Sequence, residues 1–66
     1  MIEYQVEYKD SEGAWNNTGP AYFRYADALD RLAFEFREDP EYTHRIVQRR
    51  LVTTVLSTVT SESEVK

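Results

Sequence analysis

Residues 42–59 place the strongest constraint on how this chain can fold. The stretch is rich in Val, Ile and Thr and contains neither Gly nor Pro, a composition that favours extended strands over turns. A single strand of this length would span roughly 55–60 Å at about 3.3 Å per residue. The stretch therefore predicts one unusually long β-strand. The parity of its apolar residues changes around residues 48–50, where a bulge or a strong twist is expected.

The first predicted strand is much shorter. Apolar and polar residues alternate strictly from residue 2 to residue 9, which is typical of a strand with one buried and one solvent-exposed face. This strand would span roughly 25 Å, so about half of the 42–59 strand has no obvious partner within the chain. Residues 10–13, Asp-Ser-Glu-Gly, predict a hairpin turn. Residues 14–17 predict a short returning strand around Trp15. Because Pro20 cannot donate to a sheet ladder, this strand is either a short edge strand or is interrupted there.

A helical pattern replaces the strand patterns over residues 25–39. Apolar residues recur at the i, i+3, i+4, i+7 spacing of one helix face, and these are Leu29, Leu32, Ala33 and Phe36, with Tyr25 one turn earlier. Pro40 disfavours helical geometry in the residue before it, so the helix is expected to end near Glu38. We expect this apolar stripe to pack on the sheet.

The predicted elements run strand, strand, helix, strand. A right-handed crossover places the long strand antiparallel beside the first strand, which gives the spatial order 2-1-3. The prediction is a two-layer α+β domain, in which one helix packs on one face of a three-stranded antiparallel sheet. Residues 1–60 are predicted to form a single domain. Residues 61–66 are polar and aperiodic, and they predict a disordered tail.

Chain length and composition exclude several classes of protein. A chain of 66 residues has a small core, and such domains commonly need a disulfide, a metal or a partner. There is no Cys and one His, so disulfides and the usual zinc sites are excluded and a partner remains. A net charge of −4 argues against general nucleic-acid binding. The N-terminus is unlike a signal peptide and no apolar run approaches ~20 residues, so we expect a soluble cytoplasmic protein without a membrane partner.

The sequence contains no recognisable catalytic or cofactor-binding motif. Two glycines in the whole chain are too few for a phosphate-binding loop. The one histidine, His44, is not accompanied by a Gly-x-Ser-x-Gly motif, which would supply a serine nucleophile. The acidic residues Asp27 and Asp30, and those at residues 38–41, are expected on solvated surfaces rather than in the apolar pocket that acid–base catalysis requires. We therefore expect no enzyme activity, no cofactor and no metal site.

The first candidate surface for a partner is basic and consists of Arg45, Arg49 and Arg50, together with His44. It has two interpretations. The arginines form a basic patch that contacts nucleic acid or an acidic protein, or they pair across the sheet with polar residues of the first strand, which are Glu3, Gln5 and Glu7. The carboxylates on that strand favour the second interpretation.

Two further surfaces carry apolar residues. Phe34 lies about 140° from Leu29 on the helical wheel, so it is either an incidental exposed aromatic residue or an anchor for a partner. The other surface is residues 51–59, where Leu51, Thr53 and Val55 are the predicted contacts. An unpaired strand without Lys or Pro is an aggregation hazard, so we expect it to pair with a target protein or with a second copy by strand addition.

Short motifs along the chain resemble a class of small uncharacterised phage proteins. The matching segments are Met-Ile-Glu-Tyr-Gln-Val-Glu-Tyr, Gly-Ala-Trp, Ala-Leu-Asp-Arg-Leu and Tyr-Thr-His-Arg-Ile-Val-Gln-Arg-Arg-Leu-Val-Thr. That class has strand–strand–helix–strand order and an Arg-Ile-Val-x-Arg strand, although its usual Thr or Ser helix cap is Arg24 here. In size, acidity and element order the chain is also similar to the small inhibitor by which a T7-like phage blocks host RNA polymerase, and more loosely to several anti-CRISPR proteins.

These resemblances imply a phage protein that acts by docking on a host protein. The leading hypothesis is a non-enzymatic binding module that modulates or inhibits its host target, with an acidic balance that also allows mimicry of nucleic acid. One alternative is a structural homo-oligomer, a homodimer in its simplest form, that pairs through the long strand. The other alternative is a weak nucleic-acid binder that uses Arg45, Arg49 and Arg50.

Overall fold

Four antiparallel strands and one helix dominate the computed structural model, which describes residues 2–50 and 54–64. The strands are β1 (Glu3–Lys9), β2 (Trp15–Asn17), β3 (His44–Arg49) and β4 (Thr54–Val59), and the helix is α1 (Tyr25–Glu38). The sheet has the order β2-β1-β3-β4, and α1 packs against β1 and β3. The predicted α+β class is confirmed. None of the helices in the described ranges has the length and apolar character that crossing a bilayer requires.

The prediction of one long strand over residues 42–59 is wrong. The stretch forms two strands, and β4 runs back antiparallel beside β3 on the side away from β1. The sheet therefore has four strands rather than three, although the predicted 2-1-3 order holds for the first three. A strand of roughly 55–60 Å would leave half its backbone groups without partners, whereas folding one half onto the other pairs them. Residues 51–53, which connect the two strands, lie outside the described residues.

A register shift interrupts the β3–β4 pairing, at a different place from the predicted bulge at residues 48–50. Ile46 pairs with Ser57 and the next residue, Val47, pairs with Val55. Leu56 is therefore the extra residue on β4. A bulge of this kind bends and twists the strand that carries it.

The hairpin between β1 and β2 follows the sequence prediction. The Asp10 carboxylate accepts hydrogen bonds from the backbone N–H groups of Glu12 and Ala14, both at 2.9 Å, and Gly13 has the positive φ of 85° that the turn needs. The hydrogen bond from the Ala14 N–H is the largest of several that hold the pKa of Asp10 below its usual value. The turn thus fixes where β2 begins.

The core lies between α1 and the inner face of β1 and β3. Its fully packed members are Val6, Ala28, Leu32 and Ile46, with Tyr4, Tyr22, Tyr25 and Val59 packed around them. The helix bounds agree with the prediction, but the predicted apolar stripe is only partly right. Leu32 is buried and Phe36 half-buried, whereas Leu29 is 40% exposed and Ala33 is exposed.

The helix is rotated relative to the predicted stripe because aromatic rings occupy the sheet surface beside it. The rings of Tyr4 and Tyr25 lie 5.5 Å apart between centroids. With that volume filled, the small side chain of Ala28 faces the sheet and the next residue, Leu29, turns about 100° away from it. Glu35 completes the buried face.

The predicted disordered tail differs from the structure over residues 61–64. Ser61 is buried, and its backbone N–H donates to Thr43 Oγ1 at 2.8 Å. The next N–H, of Glu62, donates to the Pro40 carbonyl oxygen at 3.0 Å, and Glu62–Glu64 form a 3-10 helix. These bonds tie the end of the described chain to the loop between α1 and β3.

Replacing Thr43 with valine should lower the free energy of unfolding by about 1–2 kcal/mol, because it leaves a buried N–H without its acceptor while preserving side-chain shape. Hydrogen exchange of the Ser61 amide should become at least tenfold faster. Thr60 is exposed, so Thr60→Val is the matched control and should change neither quantity. Equal exchange rates in the two variants would show that the Thr43 hydroxyl does not hold this segment.

Candidate functional site

The outer edge of β4 is the longer of the two edges of the described sheet. One side of β4 pairs with β3, and no other described strand lies along its second side. The strand reads Thr-Val-Leu-Ser-Thr-Val, without the charges or Pro that commonly protect an edge. Val55 is 45% exposed and Leu56 is 40% exposed. An edge of this composition is a template for adding another strand.

The opposite edge of the sheet offers a much shorter template. β2 has three residues, and the chain beyond it continues to cover β1. The Thr18 N–H donates to the Val6 carbonyl oxygen, and Tyr22 exchanges two backbone hydrogen bonds with Tyr4 at 2.7 and 2.8 Å. Gln5 holds the intervening loop by donating to the Gly19 carbonyl oxygen at 3.0 Å. The two edges of the described sheet therefore differ in length, and β4 presents the longer one.

Contacts with the helix layer hold β4 in place. The Tyr25 hydroxyl and Ser57 Oγ share a hydrogen bond of 2.8 Å, and Val59 packs on the core. Both residues thus face α1, while Val55 pairs with Val47 on the other face of the sheet. The strand is fixed on one side and remains accessible on its outer side.

An ion-pair network covers the sheet face opposite the helix. Glu7 accepts from Arg45 Nε at 2.9 Å and from Arg49 Nη2 at 3.0 Å. Arg49 also donates to Asn17 Oδ1 at 3.3 Å, and the Arg45 guanidinium carbon lies 3.8 Å from the centroid of the Trp15 ring. Two of the three arginines of the predicted basic patch are therefore already paired with Glu7.

This network confirms the predicted cross-strand pairing for Arg45 and Arg49, which both bind Glu7. Arg45 stands directly opposite Glu7 in the β1–β3 register, but Gln5 bonds to the loop instead, and Glu3 has no ion pair within the described ranges. The expectation that this face of β1 is solvent-exposed is wrong for Gln5 and Glu7, which are each 6% exposed. Long side chains from the neighbouring strands lie across the face and exclude water from it.

The remaining predicted contacts are not brought together. Arg50 is exposed at the end of β3, while Leu51 and Thr53 lie outside the described residues. Phe34 is exposed, as expected, and the guanidinium carbon of Arg31 lies 5.3 Å from its ring centroid. Phe34 is on the helix and Val55 on the far face of the sheet, so the two cannot contact one flat partner surface at the same time.

The single histidine is buried rather than at the surface. His44 is 1% exposed, and its ring meets the Phe36 ring edge-to-face at 5.8 Å. Its Nδ1–H donates to the Tyr42 carbonyl oxygen at 2.9 Å, because a carbonyl can only accept. In the part of the chain that is described, no hydrogen bond joins this ring to a hydroxyl or carboxylate.

His44 also lines a cavity of about 230 Å³ that sequence reasoning missed, together with Tyr8, Thr18, Glu35, Asp39 and Tyr42. The available signals were the Glu35/Asp39 pair, four residues apart at the end of the helix, and the aromatic residues at the facing ends of β1 and β3. Among the residues described, no three His, Asp or Glu side chains are placed to share a metal ion. No protein-family model matches the chain, and neither a curated protein nor a solved structure matches it.

Proposed function

We propose that this chain is a non-enzymatic protein-binding module that docks on another protein by strand addition along β4. The observation that carries the proposal is the exposed, uncharged edge of that strand, with Val55 and Leu56 beside it. The resemblance to small phage proteins suggests that the chain is encoded by a phage, and that its target is a host protein in the host cytoplasm, which it modulates or inhibits.

Strand addition supplies both affinity and selectivity. Each backbone hydrogen bond that an added strand makes contributes about 1 kcal/mol net, and burial of the exposed Val55 and Leu56 side chains adds to this. The arginine surface supports docking less well. Arg45 and Arg49 already share the Glu7 carboxylate, which leaves Arg50 as the exposed member of that set and weakens the case for nucleic-acid binding.

Replacing Leu56 with lysine should reduce recovery of the partner at least tenfold, because a lysine on a strand edge disfavours pairing with another strand. Leu29 is the matched control, since it is equally exposed at 40% but lies on the helix. Affinity purification from host lysate with wild-type protein, Leu56→Lys and Leu29→Lys tests this, with circular dichroism to establish that each variant is folded. The expected result is one specific host protein recovered by the wild type and Leu29→Lys only. Recovery of no specific protein by the folded wild type, or equal recovery by all three, would contradict the proposal.

A second candidate function rests on the same edge. An uncharged strand can pair antiparallel with the β4 of a second copy about a two-fold axis, which would extend the four-stranded sheet to eight strands. Light scattering at micromolar concentration separates the two candidates. A dimer that Leu56→Lys converts to a monomer supports the homo-oligomer, and a wild-type monomer excludes it.

A further inference from the structure

The cavity lined by His44 lies where the C-terminal end of α1 meets the sheet. Glu35 and Asp39 come from the helix end, Tyr8 from β1, and Tyr42 and His44 from the start of β3, with Thr18 at the rim of β2. Its volume of about 230 Å³ is below the roughly 300–1,000 Å³ of pockets for drug-sized ligands. The cavity therefore suits a small chemical group rather than a whole cofactor.

Three of the six residues that line the cavity, Tyr8, Tyr42 and His44, are aromatic. The centroids of Tyr8 and Tyr42 lie 5.6 Å apart with the ring planes at 60°, and Tyr8 and His44 lie 6.4 Å apart at 41°. The rings of each pair contact each other directly, so a ligand in the cavity would lie against them from one side rather than between them. The faces of tyrosine rings carry negative partial charge and attract cations within about 6 Å.

The other lining groups reinforce the preference for a cation. The carboxylates of Glu35 and Asp39 contribute negative charge, and no Lys or Arg is among the lining residues. Glu35 is partly neutralised, because its Oε2 pairs with Arg31 Nη2 at 2.6 Å, whereas the Asp39 side chain is exposed and has no ion pair within the described ranges. The C-terminal end of a 14-residue helix adds the negative pole of its macrodipole.

We propose that this cavity binds an alkylammonium cation. Aromatic walls favour an ammonium that carries alkyl groups over a hydrated metal ion, since the rings replace its weakly held water. The same chemistry occurs in a free quaternary ammonium compound such as choline and in a lysine side chain, methylated or unmodified, of another protein. The site is separate from the β4 edge, so the proposal does not depend on strand addition.

Titration of isotope-labelled protein with choline, followed by amide chemical shifts, tests the proposal. The expected result is saturable shifts at residues 8, 18, 35–39 and 42–44. The neutral isostere 3,3-dimethylbutan-1-ol has the same shape without the charge, and it should bind at least tenfold more weakly. Equal binding of the two compounds, or shifts that do not saturate, would overturn the proposal.

Charge-matched variants locate the site. Asp39→Asn should weaken binding of choline severalfold, whereas Asp30→Asn changes the net charge equally but lines a different groove, beside Phe34, and should leave binding unchanged. Tyr42→Leu, which keeps an apolar side chain but removes the ring, should weaken binding at least tenfold, with the dispersion of the amide spectrum showing that the variant is folded. Equal effects of Asp39→Asn and Asp30→Asn would show that choline responds only to the net charge of the protein, which would contradict binding in this cavity.

A second set of ligands distinguishes the sources of the cation. Short peptides that contain lysine, trimethyllysine or acetyllysine are titrated in the same way. Tighter binding of the lysine or trimethyllysine peptide than of choline would support a protein side chain as the ligand, and tighter binding of choline would support a free small molecule. Binding of the uncharged acetyllysine peptide as tight as that of the charged peptides would contradict cation recognition.

Discussion

Replacing Glu7 with alanine should lower the free energy of unfolding by about 2–3 kcal/mol, a large share of the few kcal/mol that stabilise a domain of this size. The side chain of Glu7 is almost fully buried and binds two guanidinium groups, Arg45 at 2.9 Å and Arg49 at 3.0 Å. Its loss leaves both arginines without their carboxylate. The arginines are 21% and 35% exposed, so water relieves part of the cost and the estimate is below that for a fully buried pair.

Thermal and urea unfolding measure this effect, and a midpoint lower by about 10–20 °C is expected for a domain of this size. Glu3→Ala is the matched control, because Glu3 lies on the same strand and the same face, opposite Arg49 in the register, yet has no ion pair in the described part of the chain. It should cost less than about 0.5 kcal/mol. Equal losses in the two variants would mean that the network does not stabilise the fold.

The second large effect is expected from Leu32→Ala, at about 3 kcal/mol. Leu32 is in the packed core between helix and sheet, and its truncation leaves a cavity where neighbouring side chains cannot fully relax. Leu29→Ala should cost less, about 1 kcal/mol, because Leu29 is 40% exposed and its truncation leaves no closed cavity. Both leucines belong to the apolar stripe seen in the sequence, so the comparison tests the rotation of the helix directly. Losses of similar size would indicate that α1 packs in the orientation the stripe suggested.

Sequence patterns within a few residues correctly predict the first strand, the first turn and the end of the helix. Strict alternation marks β1, Asp10 and Gly13 mark the first turn, and Pro40 marks the helix end; each acts within a few residues of its position. The helix rotation was not predictable in the same way. It depends on Tyr4, a residue of β1 whose ring takes up space beside Tyr25, and spacing within the helix carries no information about that ring.

The division of residues 42–59 into two strands shows a second limit. The connection between β3 and β4 contains none of the Gly, Asn or Pro residues that mark a hairpin turn. β4 runs antiparallel to β3 because pairing the two strands satisfies backbone groups that an extended strand would leave unpaired, a gain that belongs to the whole sheet. The exposed apolar residues Val55 and Leu56 nevertheless lie inside the stretch that the sequence predicts to bind a partner.

The candidate sites differ in how much the sequence reveals. The carboxylates on the first strand favoured cross-strand pairing with the arginines, and Arg45 does lie opposite Glu7 in the sheet. Predicting that two arginines bind the same carboxylate would have required the register between β1 and β3. The residues that line the alkylammonium cavity come from β1, α1 and β3 and their ends. A single sequence does not indicate which of its distant residues lie together in the fold.

The extra residue in β4 has a consequence for assembly. Because Leu56 interrupts the regular pairing with β3, the outward N–H and C=O groups of β4 do not form one continuous ladder. An incoming strand can therefore stay in register only on one side of Leu56 at a time. Edges that are regular along their whole length allow copy after copy to add in the same way, as in fibrils. The irregular edge of this protein instead favours pairing with a single partner strand over the open-ended addition of copies.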